Sequence, residues 1–275
     1  MGRTGKLSNG RRNCGLLIFR AADPKVKFGN ERSAIIDPQL TTINSPSYNH
    51  PQMITVSKED YLKAILEAES EGESVISARL ADWLKVSAPA VTMAVRRLRK
   101  DGLVRVQADG HVRLTAVGRR IARKLTLRHH LIERMLAELF GMEWWKVHDE
   151  AERLEHAVSP DFEAKLLAKL GKGGACPHGN LSEMESPASR RHRGLLLLAD
   201  AAPGAAYAVS GIYERDRRLL EFLEARGIRP GAKLRLLERN YDQTLTLSTM
   251  TGNISLGRAA AERVWVSSAD QRTAR

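Results

Sequence analysis

Ser87-Ala88-Pro89-Ala90-Val91-Thr92-Met93-Ala94-Val95-Arg96-Arg97-Leu98-Arg99-Lys100-Asp101-Gly102-Leu103-Val104-Arg105-Val106-Gln107-Ala108-Asp109-Gly110-His111-Val112-Arg113-Leu114-Thr115 reads as a helix followed by a hairpin. Ser87 is a good N-cap and Pro89 falls in the first turn, where its missing N–H costs nothing. Val91, Val95 and Leu98 share one face, leaving Thr92, Met93, Arg96, Arg97, Arg99 and Lys100 outward or sideways. Asp101-Gly102 ends the helix. Alternation on either side of Ala108-Asp109-Gly110 predicts a β-hairpin. Upstream, Ser57 is a plausible cap for a helix whose apolar face is Tyr61, Leu62, Ile65 and Leu66, and a second helix covers Ile76 to Leu84. Helix, helix, helix, hairpin is the order of a winged helix-turn-helix. Its third helix suits a major groove, and Arg105, His111 and Arg113 on the hairpin suit phosphates or a minor groove.

The charge agrees. The formal net charge of the chain is +12. Residues 96–128 hold eleven Lys/Arg against Asp101 and Asp109, a net of +9. Residues 1–52 add +5, which leaves −2 for the rest. A basic block this local suggests a polyanion, most simply double-stranded DNA, although such a block by itself is often only a solvated face. Residues 1–52 are rich in Gly, Asn, Pro and Ser without hydrophobic period, and read as an irregular, disordered arm or an extension upstream of Met53. No stretch approaches the roughly 18 apolar residues of a membrane span, and no signal peptide is legible. Cys14 and Cys176 offer no disulfide framework, which points to a reducing cytoplasm.

Beyond the hairpin a long helix is expected from about Ala116 through Phe140, broken by Gly141. It carries His129 and Glu133, four residues apart and so on one face. The next helix carries Val147, Ala151, Leu154 and Val158 as an apolar stripe. At about 100° per residue, His148, Glu152, Glu155 and His156 fill a neighbouring arc. Either group alone reads as a surface ion pair. Together they can surround a cation from two sides, because half-buried imidazoles and carboxylates need a partner charge. His130 faces about 100° from His129 and is taken as solvated; Trp144 and Trp145 read as interface packing. A further helix covers Pro160 to Leu170, and these amphipathic helices have more apolar face than one subunit need bury, as expected of a homodimer. Residues 172–193 form a linker in which Cys176 and His178 read as part of a turn, the alternative being a metal site completed by a third group. Short strands at Leu195–Leu198, Ala206–Gly211, Lys233–Glu238, Thr244–Ser248 and Arg263–Val266, with one helix from Asp216 to Ala225, predict a small barrel.

The sequence resembles the diphtheria-toxin-repressor and manganese-transport-regulator family of bacterial metal-dependent repressors. The likeness runs from Val56 to Ser267. It rests on Glu59-Asp60-Tyr61-Leu62, Val86-Ser87-Ala88-Pro89, Arg128-His129 with Glu133, the run from Val147 to His156, Cys176-Pro177-His178-Gly179-Asn180, and Leu219–Leu223 with Gly227-Ile228-Arg229-Pro230-Gly231. The resemblance implies a mainly α fold with small β parts. An N-terminal winged helix-turn-helix (53–124) is followed by a helical metal-binding and dimerisation domain (125–171), the 172–193 linker, a C-terminal SH3-like, FeoA-type β-barrel (194–267) and a 268–275 tail.

It also implies two metal sites. One would use His129, Glu133 and His148, with Glu214 or Asp216 from the barrel; the other, Asp60, Glu152, Glu155 and His156. Iron-type relatives place Met and Cys where this chain has Asp60 and Glu152. Hard oxygen ligands suit Mn²⁺, with Fe²⁺ the alternative, and Lys63, where manganese-type relatives often carry Glu, cannot ligate while charged. Met93 stands where relatives place a polar residue, so contacts by Ser87, Pro89, Ala90 and Thr92 and by the surrounding cations carry the DNA affinity. The implied function is a metal-activated, homodimeric repressor of metal-uptake genes on a palindromic operator, with no catalytic residues and no membrane partner. Two competing readings are a metal-dependent hydrolase and a metal-independent winged-helix protein. The first lacks an HExxH pattern, nucleophile elbow or phosphate loop.

Overall fold

A computed structural model describes residues 56–269; the expected basic arm over 1–52 and the tail beyond residue 269 lie outside them. α1 (Val56–Ser70), α2 (Ser77–Leu84) and α3 (Ala88–Lys100) precede the hairpin of β1 (Val104–Val106) and β2 (Val112–Leu114). α1 is already under way at Val56, so Ser57 lies in its first turn rather than capping it. Ser87 does cap α3, accepting from the Ala90 N–H at 3.4 Å. Val91, Val95 and Leu98 enter a core with Leu62, Ile65, Leu80 and Val112. The hairpin register sets Arg105 directly across from Arg113. Like charges directly opposite destabilise a strand pair, so this wing favours a bound polyanion.

α4 (Ala116–Arg134) starts on the Thr115 cap and ends in one π-helical turn, Met135–Leu139, where an unbroken helix to Phe140 was expected. In that turn the Phe140 N–H reaches the Met135 carbonyl at 3.3 Å. Gly141, at φ 67°, then reverses the chain. Gly118 is a close-approach glycine: a Cβ there would sit 2.1 Å from the Leu103 carbonyl oxygen. Gly to Ala inside a helix ordinarily stabilises by up to about 1 kcal/mol. Gly118→Ala should instead destabilise by about 1–3 kcal/mol, because backbone must move. A thermal melt showing equal or higher Tm would contradict this packing.

α5 (Val147–Leu154) and α6 (Pro160–Leu170) pack on α4 around Leu131, Ile132, Met135, Val147 and Leu166. Leu139, Phe140, Leu154 and Phe162 remain exposed, Phe140 by 72%. After the linker come α7 (Pro187–His192), β3 (Leu195–Leu197), β4 (Ala206–Ile212), α8 (Arg217–Glu224), β5 (Lys233–Arg239), β6 (Leu245–Thr249), β7 (Gly252–Leu256), α9 (Arg258–Ala261) and β8 (Val264–Ser268). The strands form one antiparallel sheet in the order β3-β8-β4-β5-β6-β7 around a core of Val209, Ile212, Leu220, Leu236 and Leu247. β7 was not expected: it is a short edge strand in which Asn253 and Ser255 alternate with Ile254 and Leu256, paired through Leu245↔Leu256. Trp144 and Trp145 pack against this sheet's core, and the Trp144 indole donates to Glu224 at 2.7 Å. Their interface is therefore with the barrel of the same chain.

Candidate metal centre

α4 presents His129 and Glu133, one turn apart and both buried. α5 brings in His148, also buried. His129 Nε2 lies 3.0 Å from Glu133 Oε1 and 3.0 Å from His148 Nδ1, and His148 Nδ1 lies 3.1 Å from the same oxygen. Two imidazoles and one carboxylate oxygen thus form a near-equilateral triangle. Hydrogen bonds cannot satisfy all three edges at once. Spacing of about 3 Å is what adjacent ligand atoms adopt around one small divalent ion with bonds of roughly 2.1 Å. Glu214, in the segment after β4, joins them; its ligand atom and theirs all lie within 4.8 Å of one another. Asp216 does not, because its carboxylate caps α8 by accepting from the Leu219 N–H at 3.0 Å.

The linker contributes more than a turn. Cys176 Sγ lies 3.5 Å from Glu214 Oε2, and His178 Nδ1 lies 3.4 Å from Glu133 Oε1 and 3.7 Å from Glu214 Oε2. Gly179 permits this: at φ +85° it presses onto β4, where a Cβ would meet the Ser210 carbonyl oxygen at 2.2 Å. His130, expected in solvent, is buried with Nε2 3.7 Å from Glu214. Helical phase placed it away from His129, but the barrel and linker cover that second face as well. His130, Glu133, Cys176 and Glu214 form a second overlapping set of potential ligands. Both His130 nitrogens, Glu133 Oε2, His148 Nε2 and His178 Nε2 are buried without hydrogen-bond partners. Orphaned buried donors and acceptors on this scale are costly, and a bound cation would satisfy acceptors among them. The donor set fits a transition metal.

Electrostatics agree. Burial alone would raise the Glu133 carboxyl; the His178 and His129 imidazoles overcome it and hold it well below the usual range. Burial alone would lower His148, but hydrogen bonding to Glu133 and pairing with Glu152 push it up to about 10. Glu214 is held low by His130 and His148 against its own burial and the Glu133 charge. Burial and the Glu133 and Glu214 charges push the Cys176 thiol well up, so in the metal-free protein it keeps its proton.

The second expected group is only partly assembled. Asp60, Glu155 and His156 come together, with His156 Nε2 donating to Asp60 Oδ1 at 2.8 Å. Glu152 stands apart, half-exposed, 3.6 Å from His148 Nε2 and 3.6 Å from Arg215. Lys63, whose charge bars it from ligating, is buried in the middle of the group.

On the DNA-binding domain, Ser87, Pro89, Ala90, Thr92, Met93, Arg96, Arg97, Arg99 and Lys100 are all exposed on α3 or its cap. The Thr92 hydroxyl is turned back to the Ala88 carbonyl at 3.0 Å, leaving its methyl outward for apolar contact. His111 differs from expectation: its Nε2 is 2.5 Å from Ser74 Oγ and its Nδ1 3.1 Å from Asp109, so it braces the wing. Arg105 and Arg113 remain the exposed wing cations.

Comparison with known proteins gives three family matches. Residues 53–112 match "Iron dependent repressor, N-terminal DNA binding domain", 115–182 match "Iron dependent repressor, metal binding and dimerisation domain", and 196–268 match "FeoA domain". The diphtheria toxin repressor of Corynebacterium efficiens is 31% identical over 215 residues, 75% of this chain and 94% of that protein. The iron-dependent repressor IdeR of Mycobacterium tuberculosis is 41% identical over 122 residues; that match spans 44% of this chain and about half, 53%, of the relative's length. A solved structure of a manganese-dependent transcriptional repressor in complex with manganese is 34% identical with a TM-score of 0.67, covering 77% of this chain and 99% of that one.

Proposed function

The chain belongs to the iron-dependent repressor family that includes the diphtheria toxin repressors, and we propose that it is a metal-activated, DNA-binding transcriptional regulator. In this reading it works as a homodimer on a palindromic operator and represses metal-uptake genes. Residues 53–124 read DNA, 125–171 bind metal and dimerise, 172–193 link, and 194–267 form the barrel that lends Glu214. The observation that carries the proposal is the triangle of His129, Glu133 and His148, backed by Glu214 from a different domain.

The bound ion would supply a divalent positive charge shared by ligands from four parts of the chain. His129 and Glu133 hold the α4 side, and His148 holds α5. Glu214 holds the barrel, with Cys176 and His178 holding the linker. On the other side of α4, Glu155 and His156 face Lys63 and Asp60 of α1, the first helix of the DNA-binding domain. Drawing these elements together fixes where α3 stands relative to its copy in a dimer. Only one separation of reading helices fits two half-sites spaced by helical turns, so a bias of a few kcal/mol suffices. The exposed Leu139, Phe140, Leu154 and Phe162 supply apolar surface for the second subunit.

Mn²⁺ is the favoured effector, because His129, Glu133, His148 and Glu214 offer imidazole nitrogen and carboxylate oxygen with no thiolate among them. Fe²⁺ is the second reading, and Cys176 is the observation that favours it: the linker returns one soft donor to the cluster. The hydrolase reading gains nothing from the relatives, whose names are those of repressors. The test is binding of the full chain to a promoter-derived DNA library, in EDTA and then with Mn²⁺, Fe²⁺ or Zn²⁺ at fixed salt. Tight binding only with metal is expected, strongest with Mn²⁺. Equal binding in EDTA would leave a metal-independent winged-helix protein.

A further inference from the structure

We propose that Lys63 is the resident cation of the second cluster, so that Glu155 acts as the outer carboxylate of His129 and the Asp60–Glu155–His156 group takes up no divalent ion while Lys63 is present. The inference rests on the metal-regulator reading and specifies how many ions that regulator uses.

Lys63 sits mid-way along α1 and is only 4% exposed. Its ammonium nitrogen lies 3.0 and 2.8 Å from the two Glu155 oxygens, 2.9 Å from His129 Nδ1 and 3.9 Å from Glu67. A divalent ion ligated by Glu155 would have to lie roughly 2.1 Å from an oxygen that the ammonium already contacts, so two cations would crowd one carboxylate. The other glutamate expected to ligate is also engaged. Glu152 is 3.6 Å from Arg215, which is itself hydrogen-bonded to Glu67 and stacked over Trp83 with its guanidinium carbon 4.9 Å from the ring. Glu59, Asp60, Glu67, Glu152 and Glu155 bring five carboxylates to this cleft, and Lys63 and Arg215 return two positive charges beside His156. What remains is closed on itself: His156 bridges Asp60 at 2.8 Å and Glu59 at 3.2 Å.

Glu155 has another role ready. One of its oxygens is 2.7 Å from His129 Nδ1, while His129 Nε2 faces Glu133 and His148. A ring nitrogen either donates or accepts. When Nε2 gives its lone pair to an ion, Nδ1 carries the proton and donates it to Glu155. That is the arrangement in which a ligating histidine is oriented by a carboxylate behind it. Lys63 neutralises that carboxylate and joins α1 to the back of the first site without a second metal. Glu155 is thus a positioning residue.

The experiment is metal content and calorimetry on the full chain with Mn²⁺, comparing wild type, Lys63→Met and Glu155→Gln, together with melting in EDTA. Lys63→Met is expected to bind about one further Mn²⁺ per protomer, to melt lower than wild type in EDTA, and to be raised more by Mn²⁺. Glu155→Gln is expected to keep the wild-type count while weakening Mn²⁺ by about 10–100-fold, the usual effect of losing an outer carboxylate. Equal counts in wild type and Lys63→Met, or loss of an ion in Glu155→Gln, would overturn the inference and leave the regulator reading intact. A wild type that binds no Mn²⁺, Fe²⁺ or Zn²⁺ would instead remove the regulator reading.

Discussion

Glu133→Gln is expected to reduce Mn²⁺-stimulated DNA binding to the level seen in EDTA. Among the described residues no other carboxylate is approached so closely by so many imidazoles: Oε1 lies 3.0 Å from His129, 3.1 Å from His148 and 3.4 Å from His178. The amide keeps the volume but removes the charge that lets three buried rings converge. A buried charge pair that loses one partner costs about 3–5 kcal/mol, so the melt of the variant must be recorded alongside its binding. With the fold retained, the fall in metal affinity should be 100-fold or more, on the order of 3 kcal/mol. DNA affinity without metal should be unchanged, because Arg96, Arg97, Arg99, Lys100 and the wing lie elsewhere. A folded Glu133→Gln protein that still gains DNA affinity with Mn²⁺ would move the metal away from this cluster.

Mn²⁺ affinity should climb steeply with pH. His148 is raised to about 10 in the metal-free protein, so near pH 7 its ring is protonated and that proton must leave before Nδ1 can ligate. The carboxyls of Glu133, Glu152 and Glu214 are held low and have no proton to lose in this range. Displacing one proton gives about tenfold in affinity per pH unit, so roughly 100-fold between pH 6 and pH 8. Stability of the metal-free protein should move the opposite way. A histidine raised on folding contributes fully below its unfolded value of about 6.5. That contribution disappears as pH rises through about 10. Calorimetry at pH 6 and 8 in buffers of different ionisation enthalpy counts the protons released. A pH-independent affinity would mean that His148 is not a ligand.

Much of the architecture was legible along the chain because its signals are local. The Ser87 cap, the Val91/Val95/Leu98 stripe and the Asp109-Gly110 turn act over a few residues, and α3, β1 and β2 follow them. The i, i+4 pair His129/Glu133 and the arc from His148 to His156 were readable for the same reason: helical phase depends on spacing alone. The π-turn at Met135–Leu139 was not legible, since nothing in its composition distinguishes it from a continuing helix. The edge strand β7 offers only two alternating apolar residues, Ile254 and Leu256, too short a signal without its pairing to β6.

What the sequence by itself determined is the set of elements and the residue types able to hold a cation. Which of those residues meet was decided by the tertiary structure. Barrel and linker packing chose Glu214 over Asp216, buried His130 against phase, and brought the turn that carries Cys176 and His178 within reach of Glu133 and Glu214. The same packing drove Lys63 into the carboxylates of the second cluster. Spacing fixes the direction of a side chain on its own helix, whereas a buried charge takes whatever partner another element brings within about 3 Å, and that choice is made between segments far apart in sequence.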